Sequence, residues 1–131
     1  MNPWVALVTL LSLLFYVFTV VQVGRGRHRH GVVAPAMTGH PDFERLVRVQ
    51  VNTLEWLVVY LPSLWLFAFY VEPRVAAAIG GVWIAGRVLY ALSYTRDAAA
   101  RGPGFGLQAL AALALLVGAL YGVGRALLAG G

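Results

Sequence analysis

Four long apolar runs constrain the fold of this chain more than any other feature. They cover approximately residues 4–23, 46–70, 75–94 and 107–128, each close to the roughly 20 residues that a helix needs to cross a bilayer. Because hydrocarbon offers the backbone no partners, spanning segments must be helices or closed barrels, and runs of this length favour helices. A soluble bundle would carry a polar face on every helix, and the first and last runs have almost none. We therefore predict an all-α integral membrane protein, one four-transmembrane-helix bundle domain over residues 1–131.

The charged residues predict how these helices are oriented. Only 11% of the residues are charged, and the ten basic residues are all Arg. Five of them fall in the first connection, from Gly24 to about Phe43, or in the third, from Thr95 to Gly106, and Arg45 and Arg48 directly follow the first. Because positive loops stay in the cytoplasm, we expect both connections there and both termini on the far side. Arg-rich flanks of membrane helices also explain the net charge of +5 better than nucleic-acid binding does.

The start of the chain and its composition bear on location and chemistry. The opening Met1-Asn2-Pro3 has no basic residue and the first run is long enough to span, so we expect a retained helix rather than a signal peptide. Abundant Ala, Gly and Arg without any Lys is typical of a GC-rich bacterial genome, and we expect a bacterial inner membrane. There is no Cys, so any thiol chemistry must use a thiol that a substrate supplies.

The second apolar run carries polar residues that hydrocarbon would not tolerate. Arg48 and Asn52 are four positions apart and Glu55 follows three later, so all three lie on one helical face. A charged group in hydrocarbon costs roughly 2.5 kcal/mol or more. This face should therefore border a cavity filled by protein or water, and it is a candidate binding site. Glu55 has an alternative role as a structural partner of Arg48 or Arg87.

The third run ends in a second polar stripe. Arg87, Tyr90 and Tyr94 have the spacing of one helical face, which Asp97 and Arg101 continue into the connection. This end lies at the same membrane face as the start of the second run, so we expect the two polar faces to meet. Together they offer cations for carboxylates, amides, and a carboxylate for an ammonium group. That set suits a small zwitterionic, peptide-like ligand with more than one carboxylate; the alternative is that the tyrosines are interfacial anchors.

Two segments resemble the signatures of one known family. Phe43–Glu55 (FERLVRVQVNTLE), followed by Leu61-Pro62, resembles the helix-two signature of the MAPEG family, the membrane-associated proteins in eicosanoid and glutathione metabolism. Gly86–Tyr94 (GRVLYALSY), with the Arg101 that follows, is similar to the end of the family's third helix. Four spans, a basic first loop and a short second loop also agree, so the resemblance covers nearly the whole chain.

The resemblance implies a homotrimer that binds glutathione between neighbouring subunits, at sites open to the cytoplasmic side. Carried over by position, the residues that would hold glutathione are Arg48, Gln50, Asn52, Glu55, Tyr90 and Tyr94. Arg27 falls where the family places a loop-one Arg that binds a ligand carboxylate, although Arg25 and Arg29 in the same basic run are alternatives. Trp56 departs from the pattern, because synthase-like members carry Tyr there and a hydroxyl contact is lost.

Arg101 matches the family residue that activates the glutathione thiol. A free thiol titrates near ~8.5, so little thiolate exists at neutral pH, and a guanidinium beside the sulfur favours the anion. An apolar groove between helices would hold a lipophilic electrophile or lipid hydroperoxide next to it. We therefore expect a detoxifying glutathione transferase, with or without peroxidase activity, that uses glutathione as co-substrate and sits among membrane lipids.

Two other functions and a metal site are the alternatives to this interpretation. A non-catalytic lipid-binding member of the family would not need a thiol-activating cation, and a small proton-coupled exporter using Glu55 would not need the other polar residues. His28, His30 and His40 lie in an Arg-rich segment with no Cys or acidic partner at a useful spacing. We therefore expect a basic segment facing anionic headgroups there, and no metal site.

Overall fold

A computed structural model describes residues 1–97 and 102–130, and within these ranges the chain forms four helices and no strand. The helices are α1 (Pro3–His30), α2 (Pro41–Tyr70), α3 (Pro73–Arg96) and α4 (Gly102–Leu128). All four are long and apolar enough to cross a membrane. The predicted all-α, four-helix membrane fold is confirmed.

The carboxyl end of α1 lies well beyond the end of its apolar run. The helix continues past Val23 to His30, and the residue that ends it is Gly31, whose φ of +66° is the left-handed conformation that glycine favours. The amides of Gly31 and Val32 both donate to the Arg27 carbonyl oxygen, which closes the last turn. The prediction of a loop from Gly24 onward is therefore wrong over its first part. Arg is a good helix former, and only the hydropathy changes at that point.

The second helix likewise begins before its apolar run. His40 caps it, because its ring Nδ1 accepts the Asp42 amide at 3.1 Å, and Pro41 occupies the first helical position. Asp42 and Glu44 lie in the first turn, where negative charge favours a helix start. From there α2 runs without interruption through Pro62 to Tyr70.

A tight turn joins α2 to α3, as the Glu72-Pro73-Arg74 segment predicts. The Glu72 carboxylate accepts the amides of Arg74 and Val75 at 3.0 and 2.9 Å, and Pro73 is the first helical residue. These backbone donors lower the pKa of Glu72 from its usual 4.5.

The central pair of the bundle is α2 and α3. The helix α1 packs against one side of the pair and α4 against the other. The rings of Tyr60 and Trp83 stack at 3.9 Å between their centroids, and the Tyr60 hydroxyl lies 3.0 Å from the Ser12 hydroxyl of α1. On the other side, a Cβ added at Gly104 would lie only 2.4 Å from the Tyr90 backbone nitrogen. Small residues thus bring α3 and α4 into close backbone contact.

Candidate functional site

A polar groove runs along the first half of α2. Its volume is about 270 Å³, and it is lined by Met37, Thr38, Glu44, Val47, Arg48, Val51, Asn52 and Glu55. The three predicted polar residues of α2 therefore lie together. Arg48 and Glu55 are exposed and Asn52 is half-buried, so in one chain the groove opens outward rather than into the bundle.

Arg87 of α3 joins this groove to the core. Its side chain is completely buried, and its two terminal nitrogens donate to Asn52 Oδ1 at 2.7 Å and to Thr53 Oγ1 at 2.5 Å. The guanidinium also lies over the ring of Tyr90, at 4.5 Å from its centroid. Among the described residues, no carboxylate lies within ion-pair distance of Arg87. A buried cation without a counter-ion gives this end of the bundle a positive field directly behind the groove.

The contact with Arg87 settles which way the Asn52 amide points. A guanidinium can only donate, so the Asn52 atom bound to it must be the carbonyl oxygen. The amide NH₂ is then left to donate into the groove that Asn52 lines. Thr53 is held in a similar way, because its hydroxyl accepts from Arg87 and donates to the Val49 carbonyl oxygen at 2.6 Å.

Tyr90 and Tyr94 lie behind the groove. Both are buried, and their rings stack at 5.5 Å between centroids within a cluster that includes Val49 and Phe105. The polar faces of α2 and α3 therefore approach each other as expected, but the hydrogen bonds that join them are made by Arg87. Neither tyrosine lines the groove of the single chain.

Gln50 and Arg27 also lie away from the groove in the single chain. Gln50 faces α1 and donates to the Tyr16 hydroxyl at 3.4 Å. Arg27 donates to the Ala36 carbonyl oxygen at 2.5 Å and lies 5.1 Å from the centre of the Phe43 ring. Their glutathione contacts remain predictions.

Two further positions complete the predicted site. Arg101, the predicted thiol-activating residue, lies outside the described residues, so its role also remains a prediction. Trp56, which departs from the family pattern, packs edge-on against Phe105 of α4, with 5.9 Å between the ring centroids. Its side chain therefore belongs to the α2–α4 packing.

The prediction that the histidines have no acidic partner is wrong. The ligand atoms of His30, His40 and Asp42 lie within 4.8 Å of one another, so an acidic partner is present after all. However, the two imidazoles stack at 4.0 Å and 21°, and a metal bound in the plane of one ring would lie far out of the plane of the other. Asp42 lies 3.4 Å from Arg45, and His40 caps α2. We assign the cluster to joining α1 to α2.

Sequence reasoning missed two parts of the site. It placed Arg87 on the polar stripe but did not foresee that it would hold Asn52. It also missed Glu44 at the mouth of the groove, where the carboxylate accepts the Gly39 amide at 3.2 Å. The spacing of Glu44 four positions before Arg48 was the available signal.

Comparison with known proteins identifies the family of this chain. The model of the MAPEG family matches residues 5–121. An uncharacterized protein of Synechocystis is 50% identical over 92% of this chain and 88% of its own length. Human microsomal glutathione S-transferase 2 is 38% identical, over 88% of this chain and 79% of its own. Guinea-pig (Cavia porcellus) leukotriene C4 synthase is also 38% identical, over 94% of this chain and 87% of its own. The chain therefore belongs to the MAPEG family.

Proposed function

We propose that this protein is a membrane-bound glutathione transferase that conjugates glutathione to lipophilic electrophiles and reduces lipid hydroperoxides. The observation that carries the proposal is the groove that contains Arg48, Asn52 and Glu55. It offers a guanidinium for a carboxylate, an amide donor of fixed direction and a carboxylate for an ammonium group. Glutathione has each of the complementary groups, and the names of two relatives refer to glutathione transfer or leukotriene C4 synthesis.

A second copy of the chain would complete the site. Gln50 is two positions from both Arg48 and Asn52, so it lies about 200° around α2 and cannot face the same ligand within one chain. A neighbouring copy could present its Gln50 and Arg27 to the groove. Closing the groove in this way would also remove Arg48 and Glu55 from lipid. We therefore propose the homotrimer that the family resemblance implies.

The proposed chemistry proceeds through the glutathione thiolate. Arg101 would stabilise the sulfur anion while the thiol proton passes to water. In conjugation, the sulfur forms a bond to the electrophilic carbon, and the leaving group departs with its electron pair. In peroxide reduction, the sulfur attacks one peroxide oxygen, the O–O bond breaks and an alcohol is released. A second glutathione then converts the sulfenic acid into glutathione disulfide and water.

The test is glutathione binding by calorimetry and conjugation of chlorodinitrobenzene, both with the purified protein in detergent. Arg48→Ala should weaken glutathione binding at least about tenfold, because it removes a charge-assisted hydrogen bond. Arg45→Ala is the matched control, since Arg45 is on the same helix but pairs with Asp42 and does not line the groove. Arg101→Ala should retain most glutathione binding and lose turnover.

Each outcome separates the proposal from its alternatives. Glutathione binding without turnover in the unmodified protein would favour a non-catalytic lipid-binding member of the family. No glutathione binding, with proton-coupled transport that depends on Glu55, would favour an exporter. Equal losses in the Arg48 and Arg45 variants would contradict the assignment of the groove.

A further inference from the structure

We propose that the carboxyl end of α1 carries a binding site for the headgroup of an anionic phospholipid. This headgroup site consists of Val21, Gly24, Arg25, His28 and Arg29, and it is separate from the glutathione groove on α2. It does not depend on the proposed enzymatic function.

The five residues form a hollow on the surface of α1. Its volume is about 530 Å³, and it faces away from the rest of the chain. Positions 24 and 25 follow position 21 by three and four residues, and positions 28 and 29 follow position 25 in the same way, so all five lie on one helical face. All five residues are exposed. Among the described residues, neither Arg25 nor Arg29 forms an ion pair. The hollow therefore holds two unpaired cations and an imidazole.

The helix directs these cations toward the membrane. In an α-helix each Cα–Cβ bond tilts toward the amino terminus, so Arg25 and Arg29 lean back toward Val21 and the apolar run. Arg27 on another face behaves differently, because the Ala36 carbonyl oxygen and the Phe43 ring hold it within the chain. The cations of the headgroup site thus lie where the phosphates of a bilayer begin.

An apolar stripe on α1 lies on the amino-terminal side of the hollow and borders it. Leu10, Leu14, Val17 and Val21 follow the spacing of the same helical face, and they are 59, 62, 52 and 50% exposed. The stripe extends for about 17 Å at 1.5 Å per residue, close to the length of an acyl chain. An apolar stripe that ends in cations complements a molecule with an acyl chain and an anionic head.

The glycine at position 24 contributes to the shape of the hollow. A glycine inside a helix lowers helix stability relative to alanine. A Cβ added at Gly24 would meet no atom of the chain within 4 Å, so internal packing does not require glycine there. The missing side chain instead leaves the floor of the hollow open. The partial negative charge at the end of α1 opposes an anion, but two full positive charges exceed it.

The test is native mass spectrometry of the purified protein in a neutral detergent. It is titrated with phosphatidylglycerol or, as the zwitterionic comparison, phosphatidylcholine with the same acyl chains. We expect a preference for phosphatidylglycerol. The double variant Arg25→Gln/Arg29→Gln should weaken that binding roughly 25-fold, about fivefold for each Arg, and leave phosphatidylcholine binding unchanged. The variant Arg74→Gln/Arg125→Gln removes the same charge elsewhere and should change binding less than about twofold.

Gly24→Leu separates a shaped site from a merely basic surface. It keeps every charge and improves helix propensity, but it fills the hollow, so it should also reduce phosphatidylglycerol binding. Unchanged binding in this variant would overturn the proposal, as would equal affinity for the two lipids or equal losses in both double variants. A change in the oligomeric mass of Arg25→Gln/Arg29→Gln would also overturn it, because the face would then be a subunit contact.

Discussion

Replacing Arg87 by Met is the most informative perturbation of the site. The substitution removes the two hydrogen bonds to Asn52 and Thr53 but preserves much of the side-chain volume. Replacing a buried charge by an apolar group of similar size is often neutral or stabilising, so the melting temperature should stay the same or rise. The Asn52 amide, however, loses the donor that fixes its direction.

The expected loss of glutathione affinity follows from that single contact. A hydrogen bond to a charged group contributes about 1.5–3 kcal/mol, and part of this holds the Asn52 amide in the orientation that donates to the ligand. If about 1.4 kcal/mol is lost, the dissociation constant rises about tenfold. Calorimetric titration with glutathione measures this directly, and thermal unfolding of the same samples measures stability.

A double-mutant cycle tests the route of the effect. Because Arg87 is proposed to act through Asn52, Asn52→Ala should weaken binding by itself, and adding Arg87→Met should weaken it little further. Arg96→Met is a suitable control, since Arg96 is an exposed Arg at the end of the same helix. Fully additive losses in the cycle, or a lower melting temperature with unchanged binding, would refute the positioning role.

Three other substitutions give further predictions. Glu72→Asn should make the melting temperature depend less on pH in the acid range. Because the pKa of Glu72 is lowered on folding, its charged form stabilises the fold above about pH 4.5, and this stabilisation is lost as the pH falls through the folded-state pKa. An Asn at this position caps the helix without titrating. Gly104→Ala should destabilise the fold by about 1–3 kcal/mol in thermal unfolding, because its Cβ would overlap the Tyr90 backbone, whereas Gly106→Ala meets no atom within 4 Å and should not destabilise it. Glu55→Gln should weaken glutathione binding roughly tenfold by calorimetry without changing the melting temperature; unchanged binding would remove Glu55 from the site.

The sequence predicted the number of helices but not where they end. Hydropathy marks the part of a helix that lies in hydrocarbon, and it changes at Val23 although the hydrogen bonds of α1 continue to His30. What ends the helix is the left-handed turn at Gly31. The α2 start has the same explanation, because the His40 cap and Pro41 lie outside the apolar run.

The polar face of the site was predictable for a similar local reason. Arg48, Asn52 and Glu55 share a face because helical geometry fixes it, and the structure places all three in one groove. The partner that Asn52 takes is decided by how α2 and α3 pack, which periodicity within one helix does not contain. Arg87 could therefore be placed on a stripe, but its contact with Asn52 could not be foreseen.

The sparse burial of α1 has a consequence for handling the protein. Of the four helices, α1 has the smallest share of its apolar stretch covered by the rest of the chain. Most of its stabilisation must then come from whatever surrounds the molecule. Exchanging that surrounding medium for a short-chain surfactant should loosen α1 first, so amide deuteration during extraction should begin there while the α3–α4 seam stays protected.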